Sequence, residues 1–242
     1  MKKIFINKDM KRVILLMSLV AFLLLNVEAK KPTYLYLVGD EVVAEQTAAE
    51  DMTATSAVGW GQVLGEYLPG VEIINRGISG VTSKALLSGG DWADIIANAG
   101  RNSYMMIQLG HHEYDETNGQ TYSSLEQFEN NLLLFVEEAK KAKVKVILLT
   151  PTTKRFFYDS TYYPRHGAYA EGVRRVAEQQ GLPLIDVETA TRAMVEAAGE
   201  LGSAVYFAGD SEILLSEDGA RAVAEIIAAS VKEQKLKGLY TK

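Results

Sequence analysis

The sequence contains no cysteine and only three histidines among its 242 residues. Without cysteine the chain can form no disulfide, hold no metal through a thiolate and use no thiol as a nucleophile. Its stability must therefore come from a hydrophobic core, and a hydrophobic content of 48% in a chain of this length can supply one. The sequence also lacks internal repeats, low-complexity tracts and inter-domain linkers, which favours a single folded domain.

Positive charge is scarce outside the first thirty residues. Residues 1–29 carry a net charge of +3, and without them the formal charge of the chain falls from −6 to −9. A domain this acidic lacks the excess of positive charge with which proteins bind nucleic acid or anionic membranes. We therefore expect neither as a partner, while the oligomeric state is left open by the sequence.

The first 29 residues have the pattern of a signal peptide. A basic start precedes an apolar run, Val13–Leu25, which only Ser18 interrupts, and small residues at Val27 and Ala29 suit a cleavage site. The apolar run is short for a membrane span, although an uncleaved anchor is the alternative. The sequence predicts a signal peptide over 1–29, one domain over 30–242, and a secreted or periplasmic protein that leaves the membrane after cleavage.

Five short apolar runs are typical of buried parallel strands, and helical patterns separate them. The runs are Tyr34–Val38, Val71–Asn75, Tyr104–Leu109, Val144–Leu149 and Leu182–Val187. Strands that alternate with helices predict a parallel sheet with right-handed crossovers and helices on both faces. We therefore predict a three-layer α/β/α domain with a five-stranded parallel sheet in flavodoxin-like order.

Local signals mark where several helices begin and end. Asp91 is predicted to cap one helix, and Ser123 with Glu126 is predicted to form a capping box at the start of another. Gly181 is expected to end a helix and Ser216 to begin the last one. The segment Thr152 to His166 is expected to be loop. Its aromatic side chains, flanked by Lys154 and Arg155, either stack on sugar rings or fold onto the domain itself; they are Phe156, Phe157, Tyr158, Tyr162 and Tyr163.

Polar segments follow the first three predicted strands. Gly39-Asp40-Glu41 follows the first, Asn75 to Gly80 the second, and Gly110-His111-His112-Glu113 the third. In open α/β sheets, ligands and catalytic groups gather outside the carboxyl ends of the strands. Position 41 is therefore where a nucleophile is expected, and the residue there is a glutamate.

These strand-end segments, together with Gly59-Trp60-Gly61-Gln62 and Pro183-Leu184-Ile185-Asp186, resemble the blocks of SGNH (GDSL-type) hydrolases. The resemblance spans about residues 33–232 in matching order and spacing. Among that superfamily the chain is most similar to rhamnogalacturonan acetylesterases, whose blocks read Gly-Asp-Ser-Thr-Val-Ala, Gly-Trp-Gly-Gln and Gly-His-Asn-Asp. The resemblance implies the SGNH hydrolase fold and an ancestry in ester hydrolysis.

Three of the four residues that carry the family's chemistry are replaced. That chemistry needs a serine activated by a histidine that an aspartate orients, with oxyanion donors from the serine N–H, a glycine N–H and an asparagine side chain. By the resemblance, the serine position is Glu41 and the asparagine position is His112, while the glycine is retained as Gly80.

The last block, which should read Asp-x-x-His, has two possible registers. Aligning on Asp210 puts Ile213 at the histidine position. Counting back from Gly219-Ala220 instead puts Leu214 at the histidine and Ser211 at the aspartate. The base is aliphatic in either register, so the sequence predicts that no catalytic triad is intact.

Two functions are compatible with this pattern. The first is a non-catalytic glycan-binding or accessory protein, a pseudoenzyme whose former active site binds an acetylated or acidic polysaccharide through Asp40, Glu41, Gly80 and His112. The alternative is an active carbohydrate acetylesterase that deacetylates pectic polysaccharide with a substituted site centred on Glu41 and His112. No cofactor or metal is expected, because the adjacent His111 and His112 point to opposite faces of an extended segment.

Overall fold

The computed structural model describes residues 32–47, 56–100, 103–114 and 116–240. The predicted signal peptide lies outside these described residues. From Thr33 onward the chain forms one compact unit. No helix within the described ranges is long and apolar enough to cross a membrane.

A five-stranded parallel sheet forms the centre of the unit. Its strands are β1 (Thr33–Gly39), β2 (Val71–Asn75), β3 (Tyr104–Gln108), β4 (Lys145–Leu149) and β5 (Leu184–Ile185). Their order across the sheet is β2-β1-β3-β4-β5, with every neighbouring pair parallel. The predicted sheet and its flavodoxin-like order are confirmed.

Seven helices cover the two faces of the sheet. They are α1 (Trp60–Tyr67), α2 (Ser83–Ser88), α3 (Asp91–Asn98), α4 (Leu125–Lys141), α5 (Gly167–Gln180), α6 (Val187–Ser203) and α7 (Glu217–Glu233) among the described residues. The side chains of β1 alternate between two cores: Leu35 and Leu37 pack with α1, α6 and α7, whereas Tyr36 and Val38 pack with α2 to α5. Burial on both faces explains why the strand reads as a continuous apolar run.

The predicted cap of α3 is wrong by one residue. Asp91 is the first helical residue, and the preceding Gly90 occupies the cap position with φ of 89°. Glycine is favoured at such a positive φ because it has no Cβ. Asp91 and Asp94 instead place negative charge in the first turn, where the helix dipole favours it.

The predicted capping box of α4 is also displaced by one residue. The hydroxyl of Ser124 accepts the Gln127 N–H at 3.2 Å, and the Gln127 side chain accepts the Ser124 N–H at 3.0 Å. Ser123 is buried, and its backbone N–H donates to the carbonyl of Glu113 at 3.1 Å. This tertiary contact fixes Ser123 outside the helix. The predicted roles of Gly181 and Ser216 are confirmed.

The sequence predicted that the segment between β4 and α5 is entirely loop, and this prediction is wrong in part. It contains a short antiparallel hairpin formed by residues 157–158 and 161–162. Phe157 and Tyr162 pack against the core, whereas the side chains of Tyr158 and Tyr163 are exposed. The guanidinium of Arg165 lies 3.2 Å from the centroid of the Phe156 ring. The aromatic side chains are therefore divided between the core and the surface.

Asp186 connects the start of α6 to α5 and to the end of β4 through hydrogen bonds. Its carboxylate accepts hydrogen bonds from the Thr189 N–H at 3.3 Å, from the Thr150 hydroxyl at 3.0 Å and from Arg174 at 2.7 and 3.1 Å. Partial burial would raise the pKa of Asp186, but the hydrogen bonds from Arg174, Thr189 and Thr150 outweigh it and lower the pKa.

The Asp186→Asn variant is expected to lose about 1 kcal/mol of unfolding free energy at neutral pH, because asparagine still caps the helix but lacks the charge. A carboxylate with a lowered folded pKa stabilises the fold above its unfolded pKa, and this contribution disappears as the pH falls through the folded value. Urea unfolding of both chains at pH 7 and near pH 3 should show the difference shrinking at the lower pH. A difference that stays constant would contradict this role of the Asp186 charge.

Candidate active site

The turn after β1 places Glu41 at the carboxyl end of the sheet. The Asp40 carbonyl accepts the N–H groups of Val43 and Ala44 at 3.0 and 2.9 Å. Residue 39 must be glycine here, because a Cβ would collide with the Val43 side chain and lie 2.6 Å from the Gln108 carbonyl oxygen. The tight turn therefore directs the residue after Asp40 towards the ends of β2 and β3.

The Glu41 carboxylate binds two of the three groups that the resemblance assigns as oxyanion donors. Its Oε2 accepts the Gly80 N–H at 3.0 Å, and its Oε1 lies 2.6 Å from Nε2 of His112. Gly80 has φ of 70°, a conformation that favours glycine. The Glu41 and His112 side chains are 9% and 27% exposed, so the pair lies just below the surface. The structure thus brings together three of the residues singled out in the sequence.

The environment of this pair favours its ionised form. Burial would raise the pKa of Glu41, but the hydrogen bond and charge of His112, with the charge of His111, outweigh it and lower the pKa to about 2. The hydrogen bond that His112 donates to Glu41 is the main cause that raises the pKa of His112, against the opposing effect of burial. Both shifts favour the ion pair of a Glu41 carboxylate with a His112 imidazolium.

A second pair, Asp40 and His111, lies beneath the first and is completely buried. Nδ1 of His111 is 2.7 Å from Oδ2 of Asp40, and its Nε2 lies 3.0 Å from the carbonyl and hydroxyl oxygens of Thr152. Oδ1 of Asp40 accepts the Val42 N–H at 3.3 Å. Burial would lower the pKa of His111, but the charge and hydrogen bond of Asp40 outweigh it and raise the pKa. The pair links the loops after β1, β3 and β4.

Sequence reasoning missed the part played by Glu113. Its buried carboxylate accepts the Ser83 N–H at 2.9 Å through Oε1 and the His112 N–H at 3.2 Å through Oε2. Burial is the main cause that raises the pKa of Glu113. Its position directly after His112 was the available signal, because the carboxyl ends of parallel strands lie at the same edge of the sheet. Glu113 fixes the backbone of His112 against the start of α2.

All three histidines of the chain gather at this end of the sheet. The His166 ring contacts the His111 ring edge-on, with centroids 4.7 Å apart, and is buried. Burial lowers the pKa of His166 well below its usual value, and its Nε2 has no hydrogen-bond partner among the described residues. Lys154, also buried, donates from Nζ to the His111 carbonyl at 3.2 Å and lies 4.3 Å from the centroid of the Tyr114 ring. Sequence reasoning assigned neither residue to this cluster.

Residues 37–222 match the GDSL-like Lipase/Acylhydrolase family. The chain belongs to this family. The match covers all the strand-end segments that form the site and confirms the resemblance drawn from the sequence.

Several relatives resemble the chain over most of its length. The rhamnogalacturonan acetylesterase RhgT of Bacillus subtilis is 27% identical over 220 residues, covering 84% of this chain and 91% of RhgT. The acetylxylan esterase Axe2 of Geobacillus stearothermophilus has a TM-score of 0.61 and 21% identity, over 87% of this chain and 97% of Axe2. The Bacillus subtilis protein YxiM has a TM-score of 0.75 and 20% identity, over 86% of this chain but 58% of YxiM. These structural likenesses confirm the fold.

The last GDSL-like block lies in the loop between α6 and α7. Asp210 is exposed, and Ile213 is partly buried against the core on the α7 side. The Ser211 hydroxyl accepts the N–H groups of Ile213 and Leu214 at 3.1 and 2.8 Å. Within the described ranges, no hydrogen bond or ion pair joins this loop to Glu41, whose side-chain partners are Gly80 and His112. Neither register supplies a base at this site.

The arrangement limits the chemistry available to this GDSL-like protein. An oxyanion would need the Gly80 N–H and the side chain at position 112, and the Glu41 carboxylate already binds both. Its low pKa also makes Glu41 a weak base at neutral pH. Ligand atoms of Asp40, Glu41 and His112 lie within 4.8 Å of one another, so among the described residues these three could hold a metal ion.

Proposed function

We propose that this GDSL-like protein is a non-hydrolytic, carbohydrate-binding or accessory protein that acts outside the cytoplasm. One observation carries this function: the Glu41 carboxylate occupies the Gly80 and His112 donors. The side chain at the nucleophile position thus takes the place that an ester carbonyl would need. The basic start and apolar run of residues 1–29 support export.

The energetic consequences oppose acyl transfer at several steps. Hydrogen bonds to charged groups contribute about 1.5–3 kcal/mol each, and an ester would have to displace two of them to reach Gly80 and His112. A single missing oxyanion donor costs about 10²–10³ in rate in related chemistry. Attack by Glu41 itself would form an anhydride, with no histidine at position 213 or 214 to help hydrolyse it.

The surroundings of the pair suit a carbohydrate. Tyr114 follows the His112-Glu113 segment and is 56% exposed, with the Lys154 ammonium against its ring. Sugar rings can stack on an exposed aromatic side chain, and a buried cation beside it would favour an acidic sugar. The relative RhgT is named a rhamnogalacturonan acetylesterase, which supports an acetylated or acidic pectic polysaccharide as the ligand.

A second candidate function is ester hydrolysis by Glu41 and His112. The 2.6 Å contact between Glu41 Oε1 and His112 Nε2 favours it, because a carboxylate and an imidazole at this distance can exchange a proton. In this scheme Glu41 would activate water and His112 would protonate the leaving group. The low pKa of Glu41 and its hydrogen bond to Gly80 both weaken it as the base.

Binding without acetate release is the expected result for the full-length chain. Calorimetry would use acetylated and deacetylated rhamnogalacturonan fragments, with free acetate measured in the same samples. Tyr114→Ala is expected to weaken binding about three- to tenfold through loss of stacking. Tyr34→Ala is the matched control, because Tyr34 is a similarly exposed tyrosine at the amino end of β1. It should bind as tightly as the wild type.

Two outcomes would overturn this function. Failure of the wild type to bind any fragment would contradict the proposed carbohydrate binding. Catalytic release of acetate that disappears in Glu41→Gln would instead establish the esterase.

A further inference from the structure

We propose that Asp40, Glu41 and His112 form a binding site for one divalent transition-metal ion of the zinc class. One ligand atom from each residue lies within 4.8 Å of the other two. Zinc–ligand distances near 2.1 Å require ligand atoms roughly 3.4 Å apart. The site would therefore need small side-chain movements to close on an ion, with Glu41 and His112 moving slightly apart.

One oxygen of each carboxylate is held by a neighbouring group, and the other makes a contact that an ion could replace. Oδ2 of Asp40 contacts His111 at 2.7 Å, while Oδ1 has, among the described residues, only the longer contact with the Val42 N–H at 3.3 Å. Oε2 of Glu41 is held by the Gly80 N–H, while Oε1 faces His112. Metal sites commonly orient their ligands by such outer hydrogen bonds, so this scaffold suits metal binding.

The donor set selects the class of ion. One imidazole nitrogen with two carboxylate oxygens is typical of zinc and neighbouring transition ions, whereas Mg²⁺ and Ca²⁺ prefer oxygen ligands alone. Binding would replace the proton between His112 Nε2 and Glu41 Oε1, and that proton would pass to solvent. The two carboxylates would then balance the charge of the ion.

The exposure of the three ligands defines an entry path. The exposed fraction falls from 27% for the His112 side chain to 9% for Glu41 and to zero for Asp40. An ion would enter past His112 and keep an open coordination position, since three protein ligands leave a fourth position for water or a ligand oxygen. His111 contacts Oδ2 of Asp40 at 2.7 Å, and in its protonated form it would oppose the ion and limit its affinity.

The test is calorimetry on the full-length chain after dialysis against a chelator, with Zn²⁺ and Mg²⁺ as separate titrants. We expect one Zn²⁺ per chain and at least about 100-fold weaker binding of Mg²⁺. The near-isosteric variants Glu41→Gln and His112→Gln should each weaken Zn²⁺ binding at least about tenfold. His166→Gln is the matched control, because it removes a neighbouring histidine outside the ligand set. Thermal melts would establish that each variant is folded.

Absorption of the Co²⁺-loaded chain gives a second readout, because its visible bands report nitrogen and oxygen coordination. No stoichiometric binding, or Zn²⁺ binding that survives both Glu41→Gln and His112→Gln, would overturn the site and indicate adventitious binding. The metal site shares Glu41 and His112 with the proposed function, but it is argued from a different observation, the spacing of the three ligand atoms. Acetate release by the Zn²⁺-loaded chain would overturn the non-hydrolytic function and leave the metal site intact.

Discussion

The Glu41→Ser variant is expected to show no esterase activity above background in the full-length chain. Serine would restore the nucleophile, but it needs a base, and His112 sits at the position that the resemblance assigns to an oxyanion donor. The remaining candidate, His166, is buried against His111. Release of p-nitrophenol from its acetate ester is the measurement. Robust turnover by this single variant would show that a base exists elsewhere.

Esterase activity should return only when the other catalytic positions of the family are restored together with the serine. Adding His112→Asn, Ser211→Asp and Leu214→His to Glu41→Ser is expected to raise turnover at least about 10³-fold over the single variant. We choose this register because the Ser211 hydroxyl already accepts the Leu214 N–H at 2.8 Å, a turn that aspartate can also make.

The alternative register supplies the matched control for this experiment. A chain with Glu41→Ser, His112→Asn and Ile213→His keeps the native Asp210 and carries the same chemical groups. It should stay near background, because Asp210 is exposed and Ile213 packs towards the core. Recovery by this control, with the first set inactive, would reverse the assignment of the block.

Replacement of Asp40 by alanine is expected to destabilise the fold by about 3–5 kcal/mol. Asp40 and His111 are both fully buried, and removal of one partner leaves the other without its counter-charge or hydrogen bond. Such a loss is a large part of the stability of an ordinary domain. Urea unfolding in the presence of a chelator would measure it without any contribution from bound metal.

Asp210→Ala is the control for this effect. Asp210 is an exposed aspartate, and exposed substitutions away from special features usually change stability by about 0.5 kcal/mol or less. A cost below about 1 kcal/mol for Asp40→Ala would contradict the structural role of the buried pair.

Periodicity and strand-end chemistry were sufficient to predict the sheet. The apolar run of β1 belongs to both cores, and only a strand covered on two faces needs such a run. The cap of α4 could not be fixed in the same way. Ser123 with Glu126 and Ser124 with Gln127 have the same spacing, and the contact between the Ser123 N–H and the Glu113 carbonyl decides between them.

In the candidate site, too, some residues could be predicted from the local sequence, and others only from contacts between distant segments. Glu41, Gly80 and His112 could be singled out because each occupies a recognisable strand-end position. The roles of Glu113, His166 and Lys154 depend on contacts between loops that are far apart in the sequence, such as the Lys154 bond to the His111 carbonyl. Their residue types alone do not distinguish a buried structural partner from an exposed charge.

Acetate release from acetylated rhamnogalacturonan fragments, followed by proton NMR at high concentrations of the full-length chain, tests the central claim most directly. If the Glu41 carboxylate blocks the Gly80 and His112 donors, the acetate released in excess of that in buffer alone should be less than one molecule per chain. Acetate that accumulates well beyond the protein concentration, and that is absent with Glu41→Gln, would contradict the account.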